Sequence, residues 1–206
     1  MSSGSLLVLA SASPRRAELL TRLGLQFSVS PSSVSEDLLP GESPEAHAER
    51  LAREKAREVG AKNPAAIVVA GDTVVVLGGV ILGKPGDRKE ALGMLTALSG
   101  RTHTVVSGLA VAFPGGAMHS GIMTTDVTFR SFDENAAEAY VETGEPMDKA
   151  GAYGIQGMGG ALVQGIRGDY TTVVGLPVPL LLELLELGGV RYDFGSLVTV
   201  TREAAR

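Results

Sequence analysis

Apolar and polar positions along the chain follow two periods, one typical of strands and one typical of helices. Runs of apolar and β-branched residues predict strands, and apolar residues three and four positions apart predict amphipathic helices. Strands are predicted at residues 6–10, 26–30, 65–77, 80–82, 102–112, 118–129 and 161–166. Helices are predicted at residues 13–23, 43–59, 87–98, 133–141 and 177–187. Because strands and helices mix without strict alternation, the pattern favours an α/β fold with a mixed sheet.

The two longest β-rich segments, residues 102–112 and 118–129, are joined by a Pro-Gly-Gly turn at residues 114–116. A turn of this composition between two strands predicts an antiparallel hairpin. The apolar run at residues 65–77 is expected to be interrupted, because it contains Gly-Asp-Thr at its centre. Residues 192–206 are compatible with an extra strand or with a loose tail.

The chain has 206 residues, of which 44% are hydrophobic and 20% are charged. This length predicts one large domain or two intimately joined lobes, and this composition is sufficient for a sizeable core. The formal net charge of −5 argues against wholesale binding of duplex nucleic acid, because such binding usually needs a basic face. A small anionic ligand in a local basic pocket stays compatible with this charge.

Several classes of protein are disfavoured by what the chain lacks. It contains no cysteine, so disulfides, thiolate zinc sites and cysteine nucleophiles are ruled out. No run reaches the about 18 consecutive apolar residues of a membrane-spanning helix, and residues 1–9 lack the basic region of an export signal. Aromatic residues make up only 4% of the chain, which is poor for a base-stacking surface. The sequence therefore predicts a soluble cytoplasmic protein whose partners include neither a membrane nor a nucleic-acid polymer.

Two adjacent arginines, Arg15 and Arg16, lie in the first turn of the first predicted helix. The N-terminus of a helix carries partial positive charge, so cations there are unfavourable unless an anion binds. Free backbone N–H groups, the Ser13 hydroxyl and two guanidinium groups would together cradle a polyphosphate. The alternative is an ordinary capped helix with two solvated arginines.

Two carboxylates and a lysine are further candidates for chemistry. Asp72 lies inside an apolar run, where an uncompensated charge is costly, so it needs a metal, a cation or a raised pKa, unless it caps a turn. Glu36, followed by Asp37 in a polar loop, is suited to Mg²⁺ or is simply exposed. Lys84 ends a strand at a turn, where it contacts either a phosphate or solvent.

A glycine-dense segment at residues 148–157 contains Tyr153 and Gln156. Small neighbours let a ligand approach the backbone, and the glutamine amide offers a donor and an acceptor that suit the edge of a base such as a uracil-type imide. A purely structural glycine loop is the alternative. The three histidines lack metal-ligand spacing, and the sequence contains no Gly-x-Ser-x-Gly elbow and no P-loop.

In order and spacing, these motifs resemble the Maf family of nucleotide pyrophosphatases. The resemblance covers nearly the whole chain and rests on residues 9–16, 71–75, 82–85, 98–103, 126–129, 148–157, 168–170 and 175–177. It implies an α/β fold with a mixed sheet in two lobes around a central cleft, like that of inosine triphosphatases. On this basis residues 1–192 are expected to form a single domain of two lobes, and residues 193–206 a C-terminal extension.

The resemblance also implies an activity, the hydrolysis of nucleoside triphosphates to the monophosphate and pyrophosphate. Asp72 matches the family's active-site carboxylate and proton acceptor, and Glu36 matches its metal-associated acid. Ser13, Arg16 and Lys84 match its phosphate-handling residues. The expected cofactor is a divalent cation, Mg²⁺ or Mn²⁺, held by Glu36 and Asp72.

Base preference divides the family, and three positions indicate the branch. Arg15, Thr73 and Gln156 look like the branch that acts on dTTP and UTP. The branch that acts on 7-methyl-GTP has an aromatic residue, Gln and Glu at these positions, since a cationic methylated guanine suits an aromatic ring and an acid. Two departures from the family pattern are present: Gly71 replaces the usual Ala, and the usual Asp-Glu pair is Ser-Glu at residues 35–36.

A competing hypothesis is a non-catalytic nucleotide-binding regulator of septum formation and cell division, since the family has been linked by name to septum formation. The combination of Asp72, Glu36 and Lys84 favours an enzyme, because a sensor needs no proton acceptor. A homodimer is compatible with the sequence.

Overall fold

The computed structural model describes residues 6–200 of the chain. Its strands are β1 (Leu7–Leu9), β2 (Ser28–Val29), β3 (Ile67–Leu77), β4 (Val80–Leu82), β5 (Thr102–Ala112), β6 (Met118–Phe129), β7 (Val163–Arg167), β8 (Val190–Tyr192) and β9 (Leu197–Thr199). Its α-helices are α1 (Pro14–Arg22), α2 (Pro44–Lys62), α3 (Arg88–Leu98), α4 (Glu134–Glu142), α5 (Tyr170–Val174) and α6 (Val178–Leu187). Short 3₁₀ segments lie at Glu145–Asp148, Ala150–Ala152 and Met158–Leu162.

One mixed sheet forms the centre of the fold, which confirms the predicted fold class. Its strand order is β2-β1-β3-β5-β6-β7, and β4 pairs with the far end of β3. Strand β1 runs parallel to β2 and β3, whereas β5, β6 and β7 pair in antiparallel fashion. Strands β8 and β9 form a separate hairpin. Among residues 6–200, no helix is long and apolar enough to cross a membrane.

The long strands β3 and β5 each contribute to more than one hydrophobic core. The first half of β3 packs with α1 and α6 on one face of the sheet and with α2 on the other. The last residues of β3, including Val75 and Leu77, pack instead with α3 and α4. The two lobes therefore meet near the middle of β3, where the central Gly-Asp-Thr of residues 71–73 separates the core residues on either side.

Most predicted elements are present, and the predicted hairpin is the β5–β6 pair. The expected interruption of the 65–77 run was wrong, because β3 continues through it and residues 71–73 pair with β5. Helix α5 was not predicted, since its sequence YTTVV is β-branched; Asp169 caps it through the backbone N–H of Thr172. For the C-terminal segment, which was predicted as either an extra strand or a loose tail, the structure shows an extra strand, β9. Residues 201–206 lie outside the described range.

Helix α2 lies directly on the sheet because Gly108 of β5 has no side chain. A Cβ atom at Gly108 would overlap the backbone of Ala48 and Glu49 in α2. Gly108 is also the β5 partner of Asp72 in β3. The close approach at the start of α2 therefore lies beside Asp72, and Lys55, further along the same helix, reaches the Asp72 carboxylate.

Replacing Gly108 with alanine is expected to lower the free energy of unfolding by about 1–3 kcal/mol, since the added methyl group forces helix and sheet apart. Urea unfolding measures this change. The matched control is Gly165→Ala in β7, because a Cβ atom there meets nothing within 4 Å. Equal stability of the two variants would contradict the close helix–sheet contact.

Candidate functional site

One cavity of about 640 Å³ lies where the two lobes meet, and its volume is within the range of ligand-binding cavities. The eight residues predicted to act in catalysis or binding all line it: Ser13, Arg15, Arg16, Glu36, Asp72, Thr73, Lys84 and Gln156. They come from α1, β3, the turns after β2 and β4, and the 3₁₀-rich segment before β7. The structure thus brings together side chains up to 143 positions apart, while their individual roles stay predictions.

The N-terminus of α1 forms one wall of the cavity. The Ser13 hydroxyl accepts a hydrogen bond from the backbone N–H of Arg16, Pro14 occupies the first turn, and that turn contains no acidic residue. Ser13 is therefore the helix cap. Because Pro14 has no N–H and the N–H groups of Arg16 and Ala17 are bonded to Ser13, the Arg15 N–H is left to add partial positive charge at the wall.

The Arg16 guanidinium is held in place by three neutral oxygen atoms. Its Nε donates to the Gly175 carbonyl at 2.8 Å, Nη1 to the Ser11 hydroxyl at 2.8 Å and Nη2 to the Thr73 hydroxyl at 3.2 Å. Burial lowers the pKa of Arg16, and the nearby charge of Asp72 opposes that shift. A guanidinium has five N–H groups, so two remain for a ligand. Helix α5, which the sequence did not predict, ends at Gly175 and so supplies one of these acceptors.

The Asp72 carboxylate shares an ammonium group with Glu36. The Nζ atom of Lys55 donates to Asp72 Oδ1 at 2.8 Å and to Glu36 Oε1 at 2.6 Å. Lys55 and Asp72 are both buried, whereas Glu36 is half-exposed in the loop between β2 and α2. Removing a carboxylate from water is costly unless it is paired, and Lys55 supplies that pair. Asp72 is thus a compensated strand residue, as its apolar surroundings require, and not the cap of a turn.

Lys55 lines the cavity but was missed by the sequence analysis. In the charged stretch of α2 it looks like one solvated cation among many. The signal that finds it is its spacing: Leu51 and Val59 lie four positions to either side, and both are buried on the same face of the helix. A lysine on the apolar face of an amphipathic helix indicates a buried partner.

Two further charges act on Glu36. Burial is the largest single influence and would raise the pKa of Glu36, but the hydrogen bond and charge of Lys55, with Lys84 and Arg16, lower it below its ordinary value. Lys84 Nζ lies 3.7 Å from Glu36 Oε2 and is largely exposed. The carboxylate is therefore kept ionised, and one of its oxygens faces the side of the cavity where Lys84 is found.

Both ends of the loop that carries Glu36 are fastened to α2. At the first end, the Glu58 carboxylate accepts hydrogen bonds from the hydroxyl of Ser32 and, at 2.9 Å, from the backbone N–H of Ser33. At the second end, Glu42 accepts from Arg50 Nε at 2.6 Å and Nη2 at 2.8 Å. Helix α2 thus holds the loop and also supplies Lys55, so one element positions both carboxylates.

Arg15, Thr73 and Gln156 also line the cavity. Arg15 Nη1 lies 3.3 Å from Asp148 Oδ2, and the Thr73 hydroxyl is 2.9 Å from the hydroxyl of Ser107. Gln156 Oε1 is buried and makes no hydrogen bond within the described residues. A buried acceptor without a donor is uncommon in proteins, and in a cavity it indicates a group that a ligand completes.

The cavity is electropositive although the chain carries a net charge of −5. Five cationic side chains face three carboxylates around it, the cations being Arg15, Arg16, Lys55, Lys84 and Lys149. A concave surface of one sign concentrates ligands of the opposite sign. Together with the helix N-terminus, this charge defines a site for a phosphate-bearing ligand.

Two carboxylates of the cavity, Glu36 and Asp72, lie close enough to share the Lys55 ammonium. Each has one oxygen bound to Lys55, and Asp72 Oδ2 makes no hydrogen bond within residues 6–200. Mg²⁺ is commonly bound by one or two carboxylates and completes its shell with phosphate oxygens and waters. This donor set fits such an ion bound together with a phosphate ligand.

The fold and the cavity define an α/β protein that binds a phosphorylated small molecule between two lobes. Comparison with protein families identifies the family: residues 6–187 match the model described as Maf-like protein. The chain belongs to the Maf family.

Relatives of similar length share about half of their residues with this chain. A protein of Thermococcus kodakarensis named dTTP/UTP pyrophosphatase is 53% identical over 184 residues, which cover 89% of this chain and 97% of the relative. Proteins of the same name from Myxococcus xanthus and Moorella thermoacetica are 50% and 53% identical, cover 90% of this chain, and are themselves covered to 94% and 96%. The solved structure of the Staphylococcus aureus Ham1 protein is 15% identical, has a TM-score of 0.41, and covers 61% of this chain and 72% of that chain.

The hydrogen bonds between Glu42 and Arg50, which fasten the second end of the loop to α2, are expected to make the stability of the protein depend on pH. The hydrogen bond from Arg50 is the main cause that lowers the pKa of Glu42 to about 2. Since this pKa lies below the ordinary value, the stabilisation is complete above about pH 4.5 and is lost as the pH falls toward 2. Between pH 7 and pH 3, the wild type should therefore lose more stability than Glu42→Gln does in urea unfolding. The control is Glu138→Gln, a substitution of an exposed residue of α4, which should behave like the wild type. Equal pH dependence of stability in the wild type and in Glu42→Gln would contradict a stabilising role of the Glu42–Arg50 pair.

Proposed function

We propose that this protein is a nucleoside triphosphate pyrophosphatase that hydrolyses dTTP and UTP to the monophosphate and pyrophosphate. The observation that carries the proposal is the Asp72–Lys55–Glu36 cluster, which lies in one electropositive cavity with the N-terminus of α1. Relatives about 50% identical along nearly their whole length bear the name of this activity. Nothing in the cavity favours the alternative of a non-catalytic regulator of septum formation.

The triphosphate is placed by the residues around the α1 N-terminus. The Ser13 hydroxyl and the backbone N–H of Arg15 bind phosphate oxygens, and Arg16 donates its two remaining side-chain N–H groups. Lys84, exposed at the cavity edge, adds a mobile charge that offsets the developing negative charge of the leaving pyrophosphate. Arg16 is fixed by three hydrogen bonds, so its contacts with the substrate need little reorganisation.

Asp72 acts as the proton acceptor. A water oxygen forms a new bond to the α-phosphorus, the bond from that phosphorus to the bridging oxygen of the β-phosphate breaks, and pyrophosphate leaves. The proton of the water passes to Asp72, whose Oδ2 has no hydrogen bond from the described residues, while Oδ1 accepts from Lys55. Lys55 thus orients the carboxylate and keeps it beside Glu36.

A divalent cation, Mg²⁺ or Mn²⁺, would be held by Glu36 and Asp72. Such an ion supplies charge neutralisation for the phosphate oxygens and orients them. Lys55 prepares the position for it, because its ammonium keeps two mutually repelling carboxylates side by side.

The nucleobase is recognised in the part of the cavity that holds Gln156, Thr73 and Arg15. Uracil and thymine present an imide N–H between two carbonyl oxygens, and the Gln156 amide offers the complementary acceptor and donor. The buried Oε1 of Gln156, which has no hydrogen-bond partner in the part of the chain that the structure describes, supports this assignment. The substrate and the absence of cysteine fit a cytoplasmic enzyme, and a homodimer is a further expectation that light scattering of the purified protein would test.

A panel of nucleotides with added Mg²⁺ or Mn²⁺ tests the function. Pyrophosphate is expected to be released from dTTP and UTP. Its release from 7-methyl-GTP is expected to be much slower. Asp72→Asn should retain the fold, because the amide still accepts from Lys55, and should lose about 10²–10⁴-fold in turnover. Phosphate instead of pyrophosphate as product, or turnover near the wild-type level in Asp72→Asn, would contradict the proposal.

A further inference from the structure

Gln156 has a hydrogen-bond partner outside the cavity. Its Nε2 donates to Glu18 Oε2 at 3.3 Å, and the other oxygen of that carboxylate accepts from Arg22 Nη2 at 2.6 Å. Glu18 and Arg22 are one turn apart on α1 and exposed. The exposed face of α1 therefore reaches the amide that lines the base side of the cavity.

A carboxylate decides which way a neighbouring amide is turned. An ionised carboxylate only accepts hydrogen bonds, whereas an amide has a donating and an accepting end of nearly equal shape. Turning the Gln156 amide over would place its carbonyl oxygen against Glu18, with two lone-pair-bearing oxygens in contact. Glu18 therefore holds the NH₂ end, and the carbonyl end is left without a partner among the described residues.

We propose that Glu18 is a specificity-determining positioning residue: by fixing the Gln156 amide, it makes the cavity an acceptor for the imide N–H of uracil or thymine. Cytosine carries an acceptor at the same ring nitrogen, so it meets the Gln156 carbonyl with two acceptors facing each other. This inference rests on the proposed function and adds to it the cause of discrimination between uracil-type and cytosine-type triphosphates.

The Arg22 contact restricts the Glu18 carboxylate. The pair is exposed, so its contribution to stability is small, but it occupies Oε1 and leaves Oε2 for Gln156. Glu18 itself does not line the cavity, and it acts on the base only through Gln156.

The test is the ratio of kcat/KM for UTP to kcat/KM for CTP, measured by pyrophosphate release. In Glu18→Ala the amide is free to turn, and the ratio should fall about tenfold, with the UTP value falling and the CTP value rising. Glu18→Gln keeps an acceptor and should retain most of the ratio. Glu18→Lys offers only donors, turns the amide over, and should lower the ratio at least as far as alanine does.

The matched control is Glu142→Ala, because Glu142 is also an exposed glutamate paired with an arginine, Arg88, at 2.6 Å, on α4 away from the cavity. It should leave the ratio unchanged. The inference would be overturned if Glu18→Ala or Glu18→Lys had the same ratio as the wild type. This includes the case in which kcat/KM falls by the same factor for UTP and for CTP. Absence of pyrophosphate release from UTP by the wild type would instead overturn the proposed function, so the two failures are distinguishable.

Discussion

A carboxylate inside an apolar β-strand needs a counterion, and the site is organised by how this protein supplies one. The ammonium of Lys55 lies between Asp72 and Glu36, within hydrogen-bonding distance of both. To deliver it, α2 has to lie against the sheet, which the missing side chain of Gly108 permits. To bring Glu36 to the same ammonium, the loop before α2 has to be fastened at both ends to that helix. The packing of α2 against the sheet therefore determines the arrangement of charged groups in the cavity.

The cavity lies at the junction of the cores, where charged and polar side chains adjoin core residues such as Val75 and Val174. Strand β3 contributes apolar residues to one lobe before Gly71 and to the other after Thr73. The break in apolar pattern leaves a gap between the lobes, and charged side chains from both sides fill its walls. The resulting local positive charge in an acidic chain suits a triphosphate better than an extended polyanion, since it is confined to a concave surface.

Local patterns in the sequence were sufficient for most elements and for the fold class, because hydrophobic period and turn composition are local properties. The convergence of distant side chains was predicted only through the resemblance to a family and the anomaly of single residues such as Asp72. Among the features that the sequence analysis did not predict, three depend on tertiary contacts: the continuity of β3, helix α5 and the position of Lys55 between two carboxylates. A partner distant in sequence decides the outcome for the strand, which pairs with β5, and for the lysine, which pairs with two carboxylates. Helix α5 depends on its adjacent cap, Asp169, and on the distant Ser107 of β5, whose hydroxyl donates to the Thr172 carbonyl.

The central claim is that Lys55 and Glu36 act as one unit around Asp72, and a double-mutant cycle tests it most directly. The measured quantity is kcat/KM for pyrophosphate release from UTP in Lys55→Met, Glu36→Gln and the double variant. Residues that act as a unit are non-additive, so the double variant should lose little more than Lys55→Met alone, with a coupling energy above about 1 kcal/mol. Losses that add to within about 0.5 kcal/mol would mean that the two side chains act independently, and would contradict the account.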